Sequence, residues 1–549
     1  MSMIFKSLTP DIDIPGVDLP TFVFSYMREN TVYGREPNRT AMIDKAQSLS
    51  FAELESQTQA SASGLYNKIG IRRGDIVAIV LPNTLFYPVA TMSVQMLGGV
   101  VTTANPEYTS RELAHQLGVT EAKAVITMQE RVPAIKEALQ LARLTIPESN
   151  ILTIDGDNNV CDIFSSQPFP RVYLRSSAEA ETTPSFIVFS SGTSGKPKGV
   201  VLSHSNMVSN ALQFLEVDRH DRGLVDAMQN KPQRCWLQIL PMFHIYGILI
   251  SSVSLLTGSL NVIMEKFDFA GFCSLIQSHR VDTVYLAPPI ILALTKSPLT
   301  KKYDISSLRF INSGAAPLSK ELQTEAATKL GILVTQGYGM SETSPIVTRS
   351  LCNSDKPGSA GQLCPNTEAA FVDEDDKDLG IGQVGELCVR GPQVMLGYYK
   401  NKEATDNAIR SDRFLHTGDI GYIDSAGNVY ITDRKKELIK YKGFQVAPAE
   451  LEGLLTDHPD IVDSAVIPVY DKTRATELPK AFVVVRPEAK RPGIEKDIAE
   501  WVADRVVDYK KLRGGVEVID AVPKSATGKI LRRVLKDIEA DRLKQKSKL

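Results

Sequence analysis

Cysteine is scarce and scattered, with six residues (Cys161, Cys235, Cys273, Cys352, Cys364 and Cys388) among 549 and no CxxC pair. That excludes a disulfide-stapled secreted scaffold and predicts reduced, mostly buried thiols. An excess of positive charge is missing too, since 62 Lys and Arg stand against 64 Asp and Glu. A polyanion such as DNA finds no global field to hold it, so nucleic acid is not expected as a main partner. Residues 1–29 hold no basic segment leading into an uninterrupted apolar stretch, and Asp11, Asp13, Pro15, Asp18 and Pro20 break the span further. A secretory leader is therefore not expected. Long apolar runs are also absent. Residues 237–263 come nearest, but Gln238, Pro241, His244 and several Ser and Gly interrupt them. They read as buried strands and a core helix, and no membrane span is expected. No fixed-period repeat is visible.

What is present is an ordinary globular mix, 43% hydrophobic and 23% charged, in a chain long enough for roughly two to four folded units. From 49 to 433 the sequence alternates short apolar runs with amphipathic stretches. Runs at 75–81, 100–105, 124–128, 185–189, 261–264, 283–286 and 310–313 read as buried strands, and 88–97 as a helix. This alternation predicts α/β layers. Residues 422–432 read as a hairpin turning at Ala426 and Gly427, and the densely charged 433–442 segment is a candidate hinge. Beyond it, a helix at 448–455, strands at 465–470 and 481–486 and a helix at 494–509 form a small α+β unit. The expectation is a large α/β domain over 1–433 and a small α+β domain over 434–549.

The strongest local signal is FSSGTSGKPKG at 189–199, which packs three Gly, four hydroxyls and two Lys into a loop after a strand. Glycines let backbone N–H groups turn toward an anion, hydroxyls add donors, and lysines add charge, so the loop suits phosphate. It is not a Walker loop, because only Thr193 and Ser194 separate Gly192 from Gly195 and Pro197 follows Lys196. Its plainer reading is a polar surface loop, over which the loop by itself favours phosphate only modestly.

Further motifs follow in order: PMFHIY at 241–246, GAAPL at 314–318, YGMSET at 338–343, HTGD at 416–419, DRKKELIK at 433–440, YKGFQVAP at 441–448 and PKSATGK at 523–529. As a set, over about residues 30–535, they resemble the adenylate-forming superfamily of acyl-CoA synthetases, luciferases and adenylation domains. The wording is most similar to coumarate:CoA ligases and their peroxisomal relatives. The resemblance implies a large N-terminal domain of several subdomains and a small mobile C-terminal domain pivoting near Lys436. It also implies ATP, Mg²⁺ and coenzyme A as cosubstrates and cofactor, a small carboxylic acid as substrate, and a two-step reaction through an acyl-adenylate.

The resemblance further implies roles. Ser190, Ser191, Gly192, Thr193, Ser194, Gly195, Lys196 and Lys198 hold the outer phosphates. Thr343 meets the α-phosphate and Glu342 ligates Mg²⁺. Gly314, Ala315, Ala316 and Pro317 let adenine lie against backbone, Tyr338 stacks on it, and Gln336, Gly337, Gly339 and Gln445 complete the nucleotide site. Asp419, assisted by Arg434, clamps the ribose, with Lys436 beside it. Lys529 bridges the acid and the α-phosphate in the first step, and Lys440 serves the second. His244 gates the passage between acid and CoA. Tyr246, Lys296, Ser313, Gly337, Gly339, Pro345 and Ile346 surround the acyl group, with Lys296 at the far end. Lys442, Gly443 and Phe444 line the CoA path.

Each feature has a plainer reading: a satisfied core histidine for His244, solvated surface lysines for Lys529 and Lys440, a turn residue for Asp419. Two other functions remain open from sequence, a luciferase-like adenylating oxygenase and a carrier-loading adenylation protein. The wording around 241–247 and 344–345 favours a ligase, and no carrier segment follows 535. Finally, Ser547, Lys548 and Leu549 form the tripeptide read by the peroxisomal import receptor, which predicts a peroxisomal protein, cytosolic before import.

Overall fold

The structure is a computed structural model that describes all residues except 1–2, 32–33, 46, 157, 191–196, 229–232, 352–355, 436, 442–443, 472–475, 526–527 and 547–549, and the side chains of 220–228, 444–445 and 543–546. Parallel strands covered on both faces read as unbroken apolar runs. Ile76–Val80, buried at every position, is such a strand. It lies inside a seven-stranded sheet ordered Gly397–Tyr398, Lys198–Ser203, Pro184–Ser190, Val100–Thr103, Ile76–Val80, Ala124–Thr127, Ile151–Thr153. A nine-stranded sheet has at its centre the parallel strands Leu333–Gly339, Phe310–Ser313, Thr283–Leu286, Cys235–Gln238 and Leu260–Ile263.

Two helices, Phe86–Met96 and Ile245–Leu256, are buried on nearly every side. A helix apolar all round needs protein on every face. One apolar cluster supplies it, joining Val77, Val101 and Phe186 of the first sheet to Trp236, Ile263 and Phe310 of the second through Val89 and Ile248 of the helices. These helices are thus the filling between the two sheets. The outer faces are covered by Leu113, Leu117 and Ile135 on one side and Phe272, Ile276, Leu294 and Leu322 on the other.

A five-stranded antiparallel sheet ends in the expected hairpin, Leu415–Ile423 paired with Val429–Arg434, with Gly427 at φ 80° in the turn. The strand runs through Arg434, which therefore belongs to this sheet. Next come a two-stranded ribbon, Ile439–Tyr441 with Phe444–Val446, and a three-stranded sheet, Ile461–Asp471, Thr476–Val485 and Gly515–Val518. With helices Pro448–Thr456 and Ile494–Ala503 they enclose a separate core around Leu451, Val466, Ala481, Ile498 and Val502, and helix Arg532–Lys546 packs through Leu535 in a second cluster with Ala465, Ile467 and Phe482. The helix expected over 494–509 stops at Ala503. Its i, i+4 apolar series Ile494, Ile498, Val502 ends there, and the β-branched Val506 and Val507 follow. Cys235, Cys273, Cys364 and Cys388 are buried and Cys161 exposed, none of these five in a disulfide, while Cys352 is outside the described residues. No described helix is long and apolar enough to cross a membrane.

Candidate active site

Chain reversals at the carboxyl ends of parallel strands leave clefts where ligands fit. Ser313 ends one strand of the nine-stranded sheet and Gly337 to Gly339 end the next, while Ser190 ends a strand of the seven-stranded sheet. The five-stranded sheet adds Asp419 and Arg434 as a cross-strand pair, so register alone makes them neighbours. Arg434 Nε stands 3.2 Å from Asp419 Oδ1, and the Tyr338 hydroxyl donates to Asp419 Oδ2 at 2.6 Å. Burial raises the Asp419 carboxyl above its usual range, against the pull of Arg434 and the Tyr338 hydroxyl.

Glu342, on the turn Ser341–Thr343 and only 6% exposed, joins the two larger sheets. Its Oε1 accepts from the Ser190 hydroxyl at 3.1 Å and from the Tyr398 hydroxyl at 3.0 Å. Lys198 holds its ammonium 4.7 Å from the centre of the Tyr398 ring. Thus one end of the phosphate-loop segment is fixed to an acidic side chain. Residues Ser191, Gly192, Thr193, Ser194, Gly195 and Lys196 lie outside the described residues. Glu342 and the Ser190 and Tyr398 hydroxyls offer oxygen donors only, the ligand type that a hard cation takes.

The C-terminal unit reaches this cleft through the loop carrying Lys529. Ser525 N donates to the Lys529 carbonyl at 2.8 Å, and Leu531 N to the Pro523 carbonyl at 2.8 Å, which closes the loop on itself. At its tip Gly528, at φ 81°, comes so near the larger part that a Cβ there would stand 3.2 Å from Ala287 Cβ. Lys529 is half-buried. Burial and then the charge of Arg434 lower its pKa to about 8, against the pull of Glu437, Asp419 and Glu342. His244, capping helix Ile245–Leu256 with Nδ1 accepting from Tyr246 N at 3.3 Å, is pushed to about 4 by burial and then by Lys529. The imidazole is therefore neutral near pH 7 and adds no charge opposite the lysine. Lys440 is elsewhere: it is exposed on Ile439–Tyr441, its N–H donating to Glu477 at 2.7 Å and its carbonyl accepting from Thr476 at 2.9 Å.

Behind His244, the Tyr246 ring presses on Gly314, where a Cβ would meet ring atoms at 2.8 Å, and its hydroxyl donates to Asn312 Oδ1 at 3.0 Å. The Ser313 hydroxyl is buried with no partner among the described residues. Gly339 permits the close return of the chain, since a Cβ there would stand 1.9 Å from the Pro345 carbonyl. Pro345 and Ile346 follow that return and are buried. Gly314 is buried, whereas Ala315, at φ 68°, and Pro317 are exposed and Ala316 half-exposed.

Several expectations need correction. Lys296 does not reach the acyl region: it is exposed at the end of Pro288–Lys296 and pairs with Glu325 at 3.8 Å. The helix turns Ile291, Leu294 and Thr295 inward, which directs Lys296 to solvent. The Gln336 amide is spent on the Leu318 backbone and on Gln323, at 3.3 and 2.9 Å, so it staples the 314–318 turn instead of facing a nucleotide. The Thr343 hydroxyl is fully buried and donates to the Pro345 carbonyl, from which it must turn to meet a phosphate. Tyr338 engages Asp419 through its hydroxyl. Lys436, Lys442 and Gly443, and the side chains of Phe444 and Gln445, are outside the described residues. Sequence reasoning missed Tyr398 and Asn312. Tyr398 arrives by a pairing of Gly397–Tyr398 with Lys198–Ser203 across about two hundred residues, which no local spacing displays.

Comparison with known proteins adds an independent line. A model of the AMP-binding enzyme family matches residues 29–399, and one of the AMP-binding enzyme C-terminal domain matches 450–529. The chain is 40% identical over 554 residues to 4-coumarate--CoA ligase 3 of Arabidopsis thaliana, covering 97% of this chain and 93% of that protein. It is 36% identical over 566 residues to Probable 4-coumarate--CoA ligase 2 of Dictyostelium discoideum, covering 98% of each. Among solved structures, ATP-bound MatB from Rhodopseudomonas palustris superposes with a TM-score of 0.82 at 28% identity, covering 94% of this chain and 98% of that one.

Proposed function

The chain belongs to the AMP-binding enzyme family and is an ATP-dependent acyl- or aryl-CoA ligase, and from that premise we propose which residues carry its two half-reactions and on which acids. In the first, a carboxylate oxygen attacks the α-phosphorus of ATP, the bond to the bridging oxygen breaks, and pyrophosphate leaves. In the second, the CoA sulfur attacks the acyl carbon and AMP departs, the thiol proton passing to solvent. A carboxylate oxygen is a poor leaving group and AMP is a good one, which is why activation precedes transfer.

The observation that carries the assignment is the Lys529 ammonium in the cleft beside His244, Asp419–Arg434 and Glu342. Two anions must approach each other there, and a fixed cation offsets their repulsion most where charge builds up in the transition state. Asp419 accepts from the ribose hydroxyls in this reading, which its burial and its contacts with Tyr338 and Arg434 support. The loop from Ser190 to Lys198 holds the departing phosphates, and Thr343 donates to the α-phosphate once released from Pro345. Mg²⁺, held by Glu342 and phosphate oxygens, would supply charge neutralisation. His244 and Tyr246 separate the acid from the CoA passage, and Lys440 with the 442–444 segment serves the thioester step after the small domain turns.

The acyl region, with glycines at 337 and 339 and one aromatic side at Tyr246, suits a flat aryl or an alkanoic acid. Because the similar proteins compared above are named 4-coumarate ligases, we put hydroxycinnamic acids first among the substrates to try, with aryl-alkanoic and fatty acids next. Pyrophosphate release measured over hydroxycinnamic, medium-chain and long-chain acids with CoA tests this. Saturating turnover with at least one class is expected, and no turnover with any acid would refute it. Ser547, Lys548 and Leu549 spell a tripeptide of the kind that the peroxisomal import receptor reads, and this motif supports import into peroxisomes. A fluorescent fusion preserving that terminus should become punctate there, and deleting the tripeptide should leave it cytosolic.

A further inference from the structure

The C-terminal unit holds a charged group that the two-step scheme does not use. Arg532 opens helix Arg532–Lys546, three residues after Lys529. Its Nη1 donates to Glu437 Oε2 at 2.7 Å, its Nη2 to both Glu452 oxygens at 2.7 and 2.6 Å, and its Nε to the Val466 carbonyl at 3.2 Å. The three charged side chains are only 12–15% exposed. Such a fork fixes geometry as well as charge. Glu437 sits on the turn after Val429–Arg434, its N–H donating to the Arg434 carbonyl at 2.9 Å. Among the anions near Lys529 it exerts the largest pull, ahead of Asp419 and Glu342. An unclaimed glutamate beside a lysine loop closes on it, and that pair would neutralise the ammonium before two substrate anions arrive.

We propose that Arg532 is a positioning residue for the adenylation step: by holding the Glu437 carboxylate it keeps that anion from pairing with Lys529, so the ammonium stays available to the acid and the α-phosphate. The proposal rests on the role given to Lys529 above. The charged or titratable groups around that lysine are Arg434, Glu437, Asp419, Glu342 and His244. Freed from Arg532, Glu437 would favour the protonated lysine while occupying it.

The test uses the full chain with Arg532→Met and Arg532→Lys, each with and without Glu437→Gln. Adenylation is followed by ATP–pyrophosphate exchange, and thioester formation by adding acyl-adenylate and CoA. Arg532→Met should lower adenylation at least about tenfold, leave thioester formation within about threefold, and move the alkaline limb of adenylation kcat/KM to higher pH. Arg532→Lys should show a smaller loss of the same kind, since one bond replaces a fork. Glu437→Gln should restore adenylation in both backgrounds to within about threefold and bring the limb back. If both half-reactions fall together and Glu437→Gln restores neither, Arg532 only holds the unit together and the proposal is overturned. Should Arg532→Met fail to fold, the Arg532→Lys pair decides by the same comparison. Failure of the Lys529 assignment is read separately, from normal adenylation in Lys529→Ala.

Discussion

The lysine at 529 shows how a residue of ordinary type gains a role from its surroundings. Its pKa near 8 comes first from burial and then from Arg434, so the ammonium is lost as pH rises through that value and is fully present below it. Adenylation kcat/KM in the free enzyme should therefore fall with an alkaline limb near pH 8, and Lys529→Arg should abolish that limb while lowering the rate. Because His244 is already neutral well below pH 7, no limb from it should appear between pH 6 and 7. Lys529→Ala should cut adenylation by about 10²–10³, the usual loss for one preorganised charge or donor at a transition state. Asp419→Ala should raise KM for ATP and leave the Tyr338 hydroxyl without its acceptor, with nucleotide titration as the check.

Elements, more than single residues, place these groups. The strand pair ending at Gly339 and resuming at Ile346 depends on the near contact between Gly339 and the Pro345 carbonyl. Gly339→Ala should destabilise the larger part by about 1–3 kcal/mol, the range for overpacking, and lower its thermal transition. The buried runs 75–81, 283–286 and 310–313 were legible as strands because each is short and carries β-branched or aromatic residues, and the 422–432 hairpin because Gly427 marks its turn. The helix after Ile494 was read too long, since its charged residues continue beyond the point where inward positions end. Motif residues such as Asp419 and Arg434 were legible as candidates, yet their contact follows from antiparallel register. Lys296 was misplaced because its role came from resemblance, whereas its direction is set by which side of a short helix carries Ile291 and Leu294. Tyr398 was invisible because only distant strand pairing brings it to Glu342.

At the scale of the whole molecule, one arrangement offers Lys529 to the cleft while Lys440 stays exposed on the ribbon. We take this as the adenylating pose, with rotation near Lys436 bringing Lys440 inward for thioester formation. Lys440→Ala should spare ATP–pyrophosphate exchange within about threefold yet cut thioester formation from supplied adenylate by about tenfold or more. A mutant that lost both steps equally would argue against alternation. The central claim, that the acid is activated by taking the α-phosphoryl group, is tested most directly by turnover with acid labelled with ¹⁸O in its carboxylate. The account predicts pyrophosphate without label and AMP carrying one labelled oxygen; ADP with labelled orthophosphate would contradict it.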